Sequence, residues 1–454
     1  MQDGHLSPRP HGHGILGVFT ESPIMQVGST TRRVAIIGGI RTPFARSNTA
    51  YASSDDQELL IASLRGIVDH FNLHGERLGD VIAGAVIKHP KDYNLTRESL
   101  LSSGLDPQTP GLDVQRACGT SLEAAILVAN KIALGQIEAG IAAGVDTTSD
   151  PPIAYPRSFQ QKLLQSARGR SFGQRMRPWL SLRPRDFKPV LPAVVEPRTG
   201  LSMGQSCELM VKTWNISRED QDRIAYDSHV KAATAWREGF YEDLVIPFRD
   251  LNTDNNVRTD TSVERLGKLK AVYDFSGQGS LTAGNSTPLT DGSAALLLAS
   301  EQWAARRNLP ILAYITAGKS WAVDFASGKE GLLMAPAYAV AEILKDTGLR
   351  LQDFDFYEIH EAFAAVPLCL FKAWESADYC RDRLGLSEAL GSIDYAKLNL
   401  KGGSVAIGHP FAATGARILA TLAKQLSLAP QSKRGIASAC TAGGMGVTAI
   451  LERA

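Results

Sequence analysis

Twice along this chain an apolar run passes through small residues into an Ala-rich apolar stretch of helical length, and then into a second apolar run. The first copy is "ACGTSLEAAILVANKIALG" followed by "AGIAAGVD", residues 117–146. The second is "GHPFAATGARILATLAKQL" followed by "RGIASACTAGG", residues 408–444. Upstream of each, "RLGDVIAGAVIKHP" (residues 77–90) lines up with "RLQDFDFYEIHEAF" (residues 350–363). Strands alternating with helices predict an α/β chain with a parallel sheet. Repetition at this scale predicts two similar halves packed together, although shared α/β grammar alone gives weak identity of the same kind.

Individual elements follow from local pattern. "RRVAIIGG", starting at Arg32, is a β-branched run closed by glycines and predicts a buried strand. A helix is expected over residues 57–71, a strand over 80–87, a helix over 121–135 and a strand over 139–146. Residues 151–272 break the rhythm with prolines and charge. One helix is legible there, in "SREDQDRIAYDSHVKAATAWREG", with Ser217 as N-cap, Asp220 three residues on, and Gly239 at the end.

With 454 residues the chain exceeds what one compact core usually holds, so more than one domain is expected. The net charge of +1 argues against a general polyanion binder, and nucleic acid is not an expected partner. No apolar run approaches the ~20 residues of a membrane span. Five cysteines, an odd number with no metal-ligand spacing, fit free thiols in a reducing compartment. Residues 1–31, with Pro8, Pro10 and scattered glycines, read as a disordered extension, or as sequence upstream of a start at Met25.

Four residues carry candidate chemistry. Cys118 stands between a strand-like run and a buried helix, where orphan N–H groups and the helix dipole favour thiolate over a free pKa of ~8.5. The same N–H groups suit an oxyanion. His409, on a glycine-flanked turn with Pro410 at the expected first helical position, is placed to act as a base toward a thiol. Cys440 enters a Gly-rich turn where backbone approaches a ligand closely, and His360 in "YEIHEAF" follows a strand. Taken singly, each has a plain structural explanation: a packed cysteine or a turn histidine bonded to backbone. Together they sit at strand ends beside small residues, where open α/β sheets bind ligands.

At these segments the sequence resembles the thiolase family, from about Arg33 to Ala454. The markers are "RTPFAR", "ACGTSLEAA", "SMGQSCELMVKTWNISREDQD", "LTAGNSTPLTDGSAALLLAS", "HEAF", "GGSVAIGHPFAATGAR" and "CTAGGMG", in order. The resemblance implies two duplicated αβα halves forming a five-layer αβαβα core with an inserted loop domain. The expected division is 1–31 as extension, 32–150 with 272–301 as the N-terminal core, 151–271 as the loop domain, and 302–454 as the C-terminal core.

It also implies roles. Cys118 is the nucleophile that becomes acylated, and His409 deprotonates it. Cys440 exchanges a proton with the leaving group. The backbone N–H groups of Cys118 and Ala442 form an oxyanion hole; alanine replaces a common glycine there, so the hole requires a negative φ at Ala442. His360 stands where biosynthetic-type thiolases have Asn, and this version is similar to the β-subunits of trifunctional fatty-acid oxidation complexes and their bacterial relatives. For coenzyme A, taken as substrate with no permanent cofactor and no metal, the resemblance points to Ala283 and Thr287 beside the pantetheine arm. Met203 and Met334 are expected as apolar walls or as core, Arg258 near the adenine–phosphate end, and Phe363 of "HEAF" in the substrate-binding set. Asn285 is expected to stiffen the turns. A homodimer is expected, as is a cytoplasmic protein.

Residues 157–188 hold nine Lys/Arg and one Asp, interleaved with Phe159, Leu163, Leu164, Phe172, Met176, Trp179, Leu180 and Leu182. Such a segment suits an anionic membrane or a hydratase/dehydrogenase partner, or it is a solvated face near the anionic CoA site. The activity expected is thiolysis of medium- or long-chain 3-ketoacyl-CoA. The rivals are an acetoacetyl-CoA thiolase serving synthesis, a decarboxylating ketosynthase with Cys-His-His, which Cys440 argues against, and an inactive CoA-binding scaffold.

Overall fold

The computed structural model describes residues 31–193 and 195–454; apart from Thr31, the expected N-terminal extension lies outside the described residues. Ten strands form the frame: β1 (Val34–Arg41), β2 (Ala45–Arg46), β3 (Asp80–Ala83), β4 (Gly111–Asp113), β5 (Ala139–Asp146), β6 (Thr290–Ser300), β7 (Ala313–Ala322), β8 (Phe356–Ile359), β9 (Arg434–Thr441) and β10 (Met445–Arg453). The order across the sheet is β4-β3-β5-β6-β1-β7-β10-β9-β8, with β2 paired to β6.

The two halves repeat one pattern. In the first, β3 pairs parallel with β5, β5 antiparallel with β6, and β6 antiparallel with β1. In the second, β8 pairs parallel with β9, β9 antiparallel with β10, and β10 antiparallel with β7. The halves meet where β1 and β7 pair through Ala35–Tyr314 and Ile36–Ala313.

Two expectations need correction. The sheet is mixed, not parallel. A turn containing Gly443 and Gly444, both at positive φ, sends β9 straight back as β10, and such a hairpin is antiparallel. In the first half the corresponding β5–β6 connection is residues 147–289, which hold the whole irregular middle of the chain. The repeat was also aligned out of step. Asp80 pairs with Gly140 and Phe356 with Gly435, so Asp80 corresponds to Phe356 and not to Asp353. The strand expected over 80–87 ends at Ala83. Beyond it the Gly84 carbonyl still accepts from the Val145 N–H at 3.1 Å, and a Cβ at Gly84 would overlap the Val114 carbonyl, so glycine is required at this close passage.

Alternation along the strands builds five layers. Val34 and Ile36 of β1 and Leu296 and Leu298 of β6 face one way. They join Ala437, Ala439, Val447 and Ala449 from the other half around helices Thr120–Ala133 and Thr414–Leu428. Ala35, Ile37, Leu297 and Ala299 face outward onto helix Asp56–His70. Ile436 and Ile450 face outward onto helices Ala335–Thr347 and Ala365–Glu375. Both faces of β1, β5 and β6 are therefore covered, which is why their residues are continuously buried.

The two central helices touch at their N-termini. A Cβ at Gly415 would collide with the backbone of Leu122, so glycine sets the approach. Ser121 Oγ accepts from the Ala416 N–H at 2.8 Å, satisfying an orphan donor of the neighbouring helix. The marker "RTPFAR" ties the irregular middle to this frame. Arg41, at the end of β1, forks onto Asp254 at 2.6 and 2.7 Å, and the Phe44 N–H donates to the same carboxylate at 2.7 Å. In the middle segment the anticipated helix is present as Arg218–Arg237, with Ser217 accepting from the Asp220 N–H and Gly239 at positive φ just beyond its end.

Candidate active site

Cys118 lies two residues ahead of helix Thr120–Ala133 on a bent turn. Ala117 before it has φ of 44°, a left-handed position that a non-glycine residue holds only when its surroundings impose it. Thr120 imposes it: its hydroxyl accepts from the Arg116 N–H at 2.9 Å and donates to the Ala117 carbonyl at 2.7 Å. A Cβ on Gly119 would press on Val447 and Thr441, so this turn lies against the β9–β10 end that carries Cys440.

The second central helix carries the partner turn. Between His409 and the α-helix stands one extra 3-10 turn, Phe411–Ala413, so Pro410 is not the first α-helical residue; Thr414 is. Thr414 Oγ1 lies 2.6 Å from His409 Nδ1, and the His409 N–H donates to Thr290 Oγ1 at 3.2 Å. His360 follows β8, and its Nδ1 lies 2.8 Å from Ser404 Oγ. The rings of His360 and His409 are 4.2 Å apart between centroids, tilted by 48°. Both are buried, and Nε2 of each has no hydrogen-bond partner within the protein. Two unsatisfied imidazole nitrogens side by side are expensive unless a ligand meets them.

The thiols complete the group. The Ala442 N–H and the Cys118 N–H both reach the Cys118 sulfur, and Ala442 is not among the described non-glycine residues of positive φ. The Ala362 N–H reaches Cys440, and the two thiols are close enough for a charge on one to raise the pKa of the other. All five cysteines are unpaired. Cys118, Cys440 and the Ala442 N–H thus form one contact group and His360 with His409 another, joined where the Ala362 N–H of the His360 turn reaches Cys440; they come from three turns and the end of β9.

Electrostatics differ from the sequence expectation at Cys118. Burial pushes its thiol up to about 12, outweighing the two N–H groups that favour thiolate. Burial raises Cys440 as well. Burial and then the Arg417 guanidinium hold His409 down at about 3, and burial, His409 and Arg417 hold His360 well below its usual value. The resting site is neutral: two thiols and two uncharged imidazoles.

The expected coenzyme A residues divide. The turn holding Ala283 and Thr287 lies beside "HEAF": Ser286 bridges to Phe363, the Ala364 N–H donates to the Asn285 carbonyl, and Thr287 Oγ1 donates to the Ala362 carbonyl at 3.0 Å. Ala283 is exposed. Asn285 stiffens the turn, its amide donating to Asp222 and the Ser280 carbonyl while its oxygen accepts from the Thr282 N–H. Phe363 is buried edge-on to Tyr273. Met203 is half-buried, and Met334 is fully buried in the core on that side, so packing accounts for it. Arg258 is exposed, and among the described residues no hydrogen bond or ion pair ties its side chain to the four; its backbone N–H donates to His229 Nδ1 at 3.1 Å. Two clefts of about 370 and 450 Å³ flank the group, one lined by Glu361 and Asn399, the other by Met210 and Phe325, and neither is lined by the four residues.

Sequence reasoning missed the supports. Asp146, at the end of β5, accepts from the N–H groups of Val86 and Ile87 and, across the halves, from that of Ala412 beside His409. Glu361 accepts from Ser228, Asn399 and the Val405 N–H, and Glu196 accepts from the Gly443 N–H. The only signal for Asp146 and Glu361 was a carboxylate directly after an apolar strand.

Comparison with known proteins shows the family and the fold. A family model described as "Thiolase, N-terminal domain" matches residues 34–302, and "Thiolase, C-terminal domain" matches residues 309–453. The chain is 38% identical over 436 residues to a 3-ketoacyl-CoA thiolase of Yersinia pestis (strain Pestoides F), covering 95% of this chain and 99% of that protein. The 3-ketoacyl-CoA thiolase of Yersinia pseudotuberculosis serotype O:3 (strain YPIII) matches with the same identity and coverage. The crystal structure of the Bacillus anthracis acetyl-CoA acetyltransferase superposes with a TM-score of 0.77 at 29% identity, over 94% of this chain and all of that one.

The depressed histidines give a directional pH prediction. An imidazole that stays neutral when folded stabilises the fold fully above its unfolded pKa of ~6.5, and that stability is lost as pH falls toward the folded value. For His409 the window runs from there down to about 3. Unfolding midpoints in denaturant are expected to fall steadily below pH 6.5. The acid limb of kcat/KM is expected well below 6.5, whereas a limb at 6.5 would show a solvent-like imidazole.

Proposed function

The chain belongs to the thiolase family, and from that membership we propose that it cleaves 3-ketoacyl-CoA with coenzyme A to give acetyl-CoA and a shortened acyl-CoA. The observation that carries the reading is a pair of neighbouring thiols and a pair of unpartnered imidazole nitrogens, two of the four residues ahead of the paired central helices and two at the ends of β8 and β9. His409 Nε2 takes the proton of Cys118, whose thiolate attacks the C3 carbonyl. The C2–C3 bond breaks, its electron pair passes to C2, and Cys440 protonates that carbon as acetyl-CoA leaves. A fresh CoA thiol then gives its proton to Cys440 and attacks the acyl-cysteine, and Cys118 departs as thiolate and is reprotonated by His409. His360 Nε2–H stabilises the enolate oxygen, and the N–H groups of Cys118 and Ala442 stabilise the tetrahedral oxyanion.

The finer assignments belong to the same proposal. Ala283, Thr287 and Phe363 border the substrate arm, with Met203 beyond them. Residues 32–150 with 272–301 and residues 302–454 form the two core domains, with 151–271 as the loop domain. The enzyme works as a homodimer in the cytoplasm, with no resident cofactor. No helix among the described residues is long and apolar enough to cross a membrane.

We infer a docking role for the basic segment. Helices Arg157–Arg168 and Phe172–Leu180 pack together around Phe159, which meets the rings of Tyr155, Trp179 and Phe187. Lys162 pairs with the buried Asp186; no other Lys or Arg of the segment has a carboxylate partner among the described residues. Phe172 and Leu180 are 80% and 85% exposed beside these free cations. Cations flanking bare apolar tips fit an anionic lipid surface, with a hydratase/dehydrogenase partner as the other occupant.

Two experiments test these readings. Cleavage of 3-ketohexadecanoyl-CoA is expected to exceed that of acetoacetyl-CoA and to vanish in Cys118→Ala. Preference for acetoacetyl-CoA would move the assignment to a synthetic thiolase, and CoA binding without cleavage would make the chain a scaffold. Binding to phosphatidylserine vesicles is expected to fall with salt and to be lost in a Phe172→Asp, Leu180→Asp double variant that keeps its activity. Unchanged vesicle binding would remove the docking role.

A further inference from the structure

One helix holds both site histidines from behind. Thr414 and Arg417, three residues apart in the first turn of Thr414–Leu428, lie on one face. Thr414 Oγ1 meets His409 Nδ1 directly at 2.6 Å. Arg417 reaches His360 through a single intermediary: its Nη2 donates to Ser404 Oγ at 2.7 Å, and that oxygen lies 2.8 Å from His360 Nδ1. Arg417, Ser404 and His360 are all buried.

Counting protons fixes the direction of this relay. A guanidinium only donates, so Ser404 Oγ accepts from Arg417. The hydroxyl has one proton, and its remaining partner is His360 Nδ1. Delivered there, the proton makes Nδ1 an acceptor and places the imidazole hydrogen on Nε2. The opposite arrangement leaves a buried hydroxyl donor without an acceptor.

We propose that Arg417 and Ser404 are positioning residues that hold His360 as the neutral Nε2–H tautomer, making it a hydrogen-bond donor to substrate and denying it the role of a second base. The inference rests on the thiolase reading for its function and on the hydrogen-bond geometry for the tautomer.

The charges around the relay agree. Arg417 is incompletely neutralised: Glu358 stands 3.9 Å from Nη1, and Nη1 and Nε have no hydrogen-bond partner. Glu358 is itself held by Gln425 at 2.8 Å. The other groups facing Arg417 are Tyr241, Arg41 and Glu361, and His409 faces His360. A buried cation behind both imidazoles disfavours a second positive charge on either. His409 differs in its partner. Among the described residues no cation donates to the Thr414 hydroxyl, so proton counting fixes no direction for its contact with His409 Nδ1. The same helix face thus meets both rings, His409 directly and His360 through Ser404.

The test is nitrogen NMR on the full-length protein labelled with ¹⁵N-histidine, with His360→Gln used only for assignment. Wild type is expected to show His360 neutral and protonated at Nε2 from pH 6 to 8. Ser404→Ala is expected to shift it toward the Nδ1–H form and to lower kcat by ~10²–10³-fold, the effect of losing one oxyanion donor, with KM little changed. Arg417→Met is expected to move the acid limb of the rate toward pH 6.5, whereas Arg417→Lys, which keeps a cationic donor, retains the tautomer. An Nδ1–H form of His360 in wild type overturns the inference even if the variants fold poorly. So does a Ser404→Ala protein that keeps Nε2–H and loses rate only in step with its melting temperature. A wild-type protein showing Nε2–H without any thiolysis would reject the activity and leave the tautomer assignment standing.

Discussion

The site depends on how closely two helix N-termini approach each other in the central layer. Gly415 lets helix Thr414–Leu428 reach the backbone of Leu122, and Ser121 fastens the contact by accepting from the Ala416 N–H. Each helix is preceded by a turn that carries a reactive side chain, Cys118 on one and His409 on the other. The duplicated sheets on either side make this arrangement rigid, because each helix is packed between strands of both halves. Asp146 adds a strut from β5 to the His409 turn. A shift of one helix along the other would separate Cys118 from His409, and in the proposed mechanism an error of about 1 Å in such a pair is enough to lose much of the rate.

Burial and ionisation compete throughout this centre. Two helix N-termini favour negative charge, and on that ground alone Cys118 would rest as thiolate. Burial is the larger effect, and the thiol stays protonated. The consequence is useful chemistry. Neutral thiols and neutral imidazoles cost little to keep buried, and in the proposed mechanism charge appears only when a substrate carbonyl arrives to receive it. The same economy explains why the buried Arg417 sits one residue removed from His360, acting through the Ser404 hydroxyl instead of touching the ring.

What could be read from the sequence was whatever is local. The continuous apolar run of β5 and the cap at Ser217 match the structure residue for residue, because apolar period and capping chemistry act over a few positions. The four candidate side chains were legible because each interrupts small residues at a strand end, and the structure brings them into one group. The slip of the repeat at Asp80 was not legible, since the shared Arg-Leu and Asp of the two segments match in sequence while the strand pairing sets Asp80 against Phe356. Nor was most of the mixed sheet, because β1 pairs antiparallel with β6 and β7 far along the chain; only the Gly443–Gly444 hairpin between β9 and β10 is local among these described pairs. Asp146, Ser404 and Arg417 act only through partners remote in sequence or through a second side chain. At Met334 the sequence left wall and core both open, and the core fully encloses it.

The central claim is that Cys118 is the sulfur that carries the acyl group. Mass spectrometry of the intact protein after mixing with 3-ketoacyl-CoA in the absence of free coenzyme A, followed by peptide mapping, tests it most directly. The account predicts one acyl group per chain, located on the peptide containing Cys118 and released when coenzyme A is added. An adduct on Cys440 in its place, or none under conditions where the substrate is consumed, would contradict it.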